Sequence, residues 1–388
     1  MNMPTPDNDN VSTRPAGQRW IIPTALVLLL GAAVLPLVIN RAVSTPAGPG
    51  VGSWTAMKMA KTGEFRGFTV QLSGDPDVPF EKYVDEIAQT GANTIMLSVA
   101  ALQENCASSS IFLDQRKVPP TERVEGLIRR AHEQGMKVVF MPIVLLENPG
   151  TGEWRGKNEP RDPTHWWEQY TAFILTYAKL SQRCGVDVFM VGSELISLEY
   201  DTQRWKDLIR QVRGEFSGRL TYSANWDHYE KIEFWRDLDI VSMTSYYDLV
   251  GDKKPSLEAL VDSWTKVKDE ILAWQSKVGM PLMFSELAYP SQLGCAKEPW
   301  NYYASTTPDP DTQAMCFEAF FKVWRDEPAV AGVLVWEWRN YENAAYQPDK
   351  DTGYRIDGKP AMKYVQEFFG SSEKSLLKNS GTATAPGS

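Results

Sequence analysis

The sequence predicts an α/β protein, a single (β/α)8 barrel carried behind one amino-terminal membrane helix and a linker. Three observations predict it. Eight short β-rich runs follow one another from Arg66 onward, most of them nearly continuously apolar, and amphipathic stretches separate most of the runs. Continuous apolar character is expected of strands whose two faces are both covered, as in a parallel sheet wrapped by helices. The repeat averages about 38 residues per step, enough for a strand, a helix and two short connections.

Taken in chain order, residues 1–19 are polar and read as a cytoplasmic tail. Residues 20–39, WIIPTALVLLLGAAVLPLVI, carry no charge. A helix of that length rises far enough to cross a ~30 Å hydrocarbon core. A cleaved signal usually has a shorter apolar stretch, of about 7 to 15 residues, so an uncleaved anchor is expected. Arg14 and Arg19 precede the span and Arg41 follows it, a bias that leaves the amino end inside and the bulk of the chain outside. Residues 40–63 read as a linker, because AVSTPAGPGVGS after Arg41 is rich in small residues, Gly and Pro.

The barrel is expected over residues 64–370. Its strands are RGFTVQL from Arg66, TIMLSVA from Thr94, KVVFMPIVLL from Lys137, VDVFMVGSEL from Val186, LTYSAN from Leu220, DIVSMTSYY from Asp239, PLMFSELAY from Pro281 and VAGVLVWEW from Val330. Stretches such as TERVEGLIRRAHEQG end in Gly just before the next strand, as a helix C-cap does. The doubly wound sheet is the competing architecture, but no glycine-rich phosphate turn follows the first strand. PGTGEWRGKN at 149–158 imitates a phosphate loop with the wrong spacing, five residues between Gly150 and Gly156, and with Asn158 where Ser or Thr would bind magnesium. It reads as an ordinary long loop. Residues 371–388 read as a disordered tail.

Composition narrows the function. Forty Lys+Arg stand against 49 Asp+Glu. Asp7 and Asp9 against Arg14, Arg19 and Arg41 sum to +1 up to residue 41, so the rest carries -10 of the total -9. Such a surface does not collect polyanions, and nucleic acid is not an expected partner. Three His and four Cys, without CxxC or HExxH, argue against a metal site, and no cofactor is expected. No GxSxG elbow occurs. Export permits disulfides, and a Cys295–Cys316 bridge is one of the three pairings open to four cysteines.

In such barrels chemistry sits at the carboxyl ends of the strands. Two runs finish alike there: VGSEL places Glu194 at the end of the fourth strand, and FSELAY places Glu286 at the end of the seventh. A carboxylate closing an apolar run is costly to bury without a partner or a task. Two facing carboxylates are what glycoside hydrolysis uses. Rim ion pairs are the alternative for each alone. Glu337, Asp248 and Glu147 stand in reserve near other strand ends.

With these residues in place the chain resembles the clan A retaining glycoside hydrolases. GANTIM, GMKVVFMP and GYRIDGKPA fit that clan, and VGSEL, FSELAY and VWEW are most similar to family 113, whose known members are β-mannanases. The resemblance spans about residues 64–370. It implies that Glu194 is the acid/base, Glu286 the nucleophile and Tyr246 the tyrosine that orients the nucleophile, with Tyr247 the competing neighbour. It implies that Trp336 is the aromatic platform under the sugar, although Trp338 follows the same run and only one of them can face the mouth. Ser193 stands where the clan commonly has an Asn, and the strand-two arginine is absent from TIMLSVA.

The 14 Trp divide by position. Trp205, Trp264, Trp274 and Trp324 lie in helical patterns and read as core. Trp154, Trp166, Trp226, Trp300 and Trp336 lie near the expected mouth, where flat pyranose faces pack on aromatic rings. Asn225, beside Trp226, reads equally as a hydroxyl ligand or as a rim residue satisfying backbone. The expected activity is a retaining endo-β-1,4-mannanase acting on a neutral β-linked polysaccharide or oligosaccharide. The alternatives are a catalytically weak or inactive glycan-binding or polysaccharide-assembly accessory, and a β-glucanase or transglycosylase.

Overall fold

The computed structural model describes residues 60–338 and 346–380. Eight parallel strands close into a barrel in sequence order: β1 (Phe65–Gln71), β2 (Thr94–Gln103), β3 (Lys137–Leu146), β4 (Val188–Ser193), β5 (Arg219–Ala224), β6 (Val241–Thr244), β7 (Leu282–Leu287) and β8 (Val330–Val335), which pairs back onto β1. Every expected strand is present, each starting within about two residues of its predicted start. Among the described residues seven α-helices surround them: α1 (Phe80–Gln89), α2 (Thr121–Glu133), α3 (Pro163–Cys184), α4 (Thr202–Glu215), α5 (Leu257–Val278), α6 (Pro310–Trp324) and α7 (Ala361–Ser380). The β5–β6 connection makes only two short 3-10 turns, at Tyr229–Lys231 and Trp235–Asp237.

Why the strands read as continuous apolar runs is visible in the two cores. One set of residues, Phe65, Met96, Val139, Met141, Val188, Met190, Ile240, Met283 and Leu334, fills the barrel axis. The alternate residues, such as Val138, Phe140, Phe189, Val191, Phe284 and Val333, pack outward against the helices. Helix ends follow their local chemistry. The Asp162 carboxylate accepts from His165 N–H at 3.0 Å to start α3, and Gly185 ends it at φ 70°, a left-handed conformation that costs a glycine little.

The predicted membrane span at 20–39 and the cytoplasmic tail before it lie outside the described residues. No helix among the described residues is long and apolar enough to cross a membrane. Of the expected linker, residues 60–63 lie against the foot of the barrel, with Gly63 N–H bonded to Val330 O at 2.8 Å and the Thr62 hydroxyl to Pro328 O at 2.7 Å. Helix α7 runs to Ser380, ten residues past the boundary expected at 370. All four cysteines are free thiols, which corrects the Cys295–Cys316 bridge. The two side chains do stand side by side, and burial pushes the Cys316 thiol well above its ordinary value.

Candidate active site

Both glutamates are placed by irregularities at strand ends. The β4–β5 register shifts between Met190 and Ser193, and the β7–β8 register shifts between Phe284 and Leu287. A bulge there re-aims the side chain that follows or occupies it. Glu194 has φ 51°, the only positive φ on a non-glycine among the described residues. That conformation is sparsely populated for a side chain with a Cβ and persists only where the surroundings fix it. They do so here. Glu194 N–H bonds to Ser223 O at 2.8 Å, and Leu195 N–H bonds to the Tyr222 hydroxyl at 2.8 Å, which itself donates to Glu199 Oε1 at 2.7 Å.

Glu194 is 6 % exposed and Glu286 4 % exposed. Glu194 Oε2 accepts from Arg155 Nη2 at 2.5 Å, and its Oε1 from Thr244 Oγ1 at 3.2 Å. Glu286 Oε2 accepts from the Tyr246 hydroxyl at 2.7 Å, while its Oε1 is buried without a partner. Burial first, and then the negative charge of Glu194, push the Glu286 carboxyl up to about 8; the Arg155 charge and the Tyr246 hydroxyl oppose them. The fold therefore brings these two carboxylates, 92 residues apart in the chain, within electrostatic reach of each other.

Tyr246 and Tyr247 separate cleanly. Tyr246 reaches Glu286, whereas the Tyr247 hydroxyl donates to Trp226 O at 2.9 Å and its ring packs edge-on against Trp264. The Trp pair after β8 separates in the same way. Trp338 is buried on the outer core against Phe68, at 4.8 Å between ring centroids, while Trp336 stays partly accessible and packs against the barrel-axis core. Trp226 stacks on Trp300 at 5.9 Å and 16°, and Trp300 is exposed at the β7–α6 loop. The Ser193 hydroxyl is buried without a partner. Asn225 turns its amide to Asp227 Oδ1 at 2.5 Å and serves its own loop.

Some readings change. Trp166, expected near the mouth, is fully buried in α3, stacked on Tyr170 and bonded through its indole N–H to Gln103 Oε1 at 2.8 Å. Its spacing with Tyr170, Phe173 and Tyr177 is that of one buried helix face. Of the reserve carboxylates, Glu147 is paired with Lys117 and Asp248 caps its own turn. Glu337 does belong to the site: burial raises its carboxyl to about 7, and its charge raises Glu286. Arg155, Thr244 and the Glu199–Tyr222 pair were not anticipated.

The profile of Glycoside Hydrolase Family 113 matches residues 78–359. The chain belongs to glycoside hydrolase family 113. It is an O-glycosyl hydrolase built on the clan A barrel. Among solved structures this family 113 barrel is similar to the β-mannanase of Alicyclobacillus acidocaldarius in complex with ManMIm, at 26% identity over 81% of this chain and 99% of that one, with a TM-score of 0.72. A second family 113 β-1,4-mannanase matches at 23% identity, 80% and 100% coverage and a TM-score of 0.72. More distantly, the endo-β-1,4-mannanase of Thermotoga petrophila shares the fold at 10% identity, 85% and 80% coverage and a TM-score of 0.56. No curated protein sequence matches the chain.

Proposed function

We propose that this family 113 enzyme is a retaining endo-β-1,4-mannanase, with Glu286 as nucleophile and Glu194 as acid/base. One observation supports the reading: Glu286 on β7, held by the Tyr246 hydroxyl, and Glu194 at the end of β4 are both largely buried and lie within electrostatic reach of each other. In the reactive form the proton stands on Glu194 and Glu286 is charged. Glu286 Oε1, which spends no hydrogen bond on the protein, attacks the anomeric carbon while Glu194 protonates the departing glycosidic oxygen. Glu194 then takes a proton from water, which displaces Glu286 and restores the β-configuration. Trp336 and the Trp226–Trp300 stack offer flat apolar faces for sugar rings along the mouth. Family membership supports a mannan over a β-glucan.

Product analysis on mannan, glucomannan and β-glucan tests the substrate; release of oligosaccharides from β-glucan alone rejects the mannanase reading. Glu286→Ala and Glu194→Ala are each expected to lower kcat on mannan by about 10²- to 10⁴-fold with the circular dichroism spectrum unchanged. Near-normal turnover by both variants would remove the two glutamates from the mechanism.

We further propose that the uncharged apolar run at 20–39 anchors the barrel outside the cytoplasm, on the strength of its length and of the arginines that flank it. Protease added to intact spheroplasts should then digest the barrel. Full protection until lysis rejects that placement.

A further inference from the structure

The loop at 149–158, which imitates a phosphate loop in sequence, is knit onto itself. The Glu153 carboxylate accepts from Gly150 N–H at 2.9 Å and from Cys106 N–H at 3.3 Å, and Lys157 Nζ donates to Gly152 O at 2.7 Å. The Trp154 ring lies over Gly156, where a Cβ would come within 2.4 Å of it, so glycine is what allows the ring to fold down. These contacts set a short 3-10 turn, Arg155–Lys157, at the mouth of the barrel. From it the Arg155 side chain, only 18 % accessible, makes two bonds: Nη2 to Glu194 Oε2 at 2.5 Å and Nε to Ser193 O at 3.3 Å.

We propose that Arg155 is a positioning residue for proton transfer by Glu194, and that the work of the 149–158 loop is to deliver it. The inference rests on the acid/base reading of Glu194 given above. Two physical arguments carry it. A guanidinium has donors and no acceptor, so the oxygen that faces it stays the accepting one. The transferable proton is thereby directed to Oε1, beside the Thr244 hydroxyl, which can rotate to accept it. The second argument is conformational. Arg155 binds the carbonyl before Glu194 and the carboxylate of Glu194 itself, and so spans the left-handed residue, adding to the Ser223 and Tyr222 contacts. Without that clamp the carboxylate is free to leave the direction in which it meets the glycosidic oxygen.

Leaving-group dependence separates positioning from a structural role. A dinitrophenolate departs without a proton, whereas an unsubstituted phenol needs one. Full-length Arg155→Ala and Arg155→Lys are assayed on aryl β-mannobiosides that span this range, with thermal unfolding recorded beside them. Arg155→Ala is expected to lose about 10- to 100-fold in kcat/KM on the phenyl substrate and less than about 3-fold on the dinitrophenyl one, with Arg155→Lys recovering part of the loss. Equal losses on both substrates, or none on either, overturn the proposal. Failure of the underlying reading is distinguishable: unaltered protein inactive on every mannobioside, or Glu194→Ala fully active on the phenyl substrate, overturns both.

Discussion

Two carboxylates buried at the end of one barrel compete for charge, and the groups around Glu286 show how the competition is balanced. Desolvation is the largest influence and the Glu194 charge the next, with Glu337 adding to them; Arg155 and the Tyr246 hydroxyl act the other way. The balance lies at about 8, so on the proposed reading of Glu286 as nucleophile its charged form is in the minority below that pH. Tyr246→Phe removes a hydrogen bond that favours the charged form. Glu286 then rises further, and the acid limb of kcat/KM moves to higher pH, by about one pH unit if the bond has the usual strength of a charged one. A profile superimposable on that of the unaltered enzyme would show that the hydroxyl does not act on the nucleophile. Residue identity alone announced Glu194 and Glu286, because a Glu closing an apolar run is conspicuous. Arg155 had no such signal. Its partner is 39 residues away, across a loop whose Gly-rich composition says only that it turns.

At the scale of elements, the strands were legible and their irregularities were not. A parallel strand covered on both faces reads as a nearly continuous apolar run, and KVVFMPIVLL or VAGVLVWEW can hardly be read otherwise. The bulges before Glu194 and near Glu286 leave no trace in composition, since they depend on how one strand slips against its neighbour. The same holds for the support of β4 by β5. Tyr222 reads as one more aromatic in LTYSAN, yet its hydroxyl joins Leu195 N–H to Glu199 and holds the chain where it leaves β4. Glu199 is buried beside it, and desolvation raises its carboxyl to about 7. Tyr222→Phe leaves a buried N–H without its acceptor, which should cost about 1 to 3 kcal/mol in urea unfolding. It should also lower turnover on mannan, because Glu194 loses one of the contacts that hold its φ. A variant as stable and as active as the parent would show that the hydroxyl is dispensable.

Over the whole molecule, the barrel is what turns two distant sequence positions into one site, and the same burial that prepares the site weakens the fold. Glu286, Glu199 and Glu337 all have carboxyls raised above the ordinary value near 4.5, to about 8, 7 and 7. As pH rises past 4.5 the unfolded chain releases these protons first, while the folded chain still holds them, so the contribution of these three carboxyls to stability falls between about pH 4.5 and about pH 8. Glu286→Gln takes one of the three out of that window. Its amide oxygen still accepts from Tyr246, and its volume is unchanged. The variant should therefore unfold at higher urea than the parent at pH 8, by an amount equivalent to about 1 to 3 kcal/mol, with the gain shrinking toward zero near pH 5 and with catalysis lost at both. Paired urea titrations at the two pH values read the difference, which includes the relief of the repulsion between Glu286 and its neighbours Glu194 and Glu337. A gain that is the same at both pH values would trace the stabilisation to packing instead of charge, and a loss at pH 8 would mean that the ionised carboxylate is better accommodated in the barrel than its burial implies.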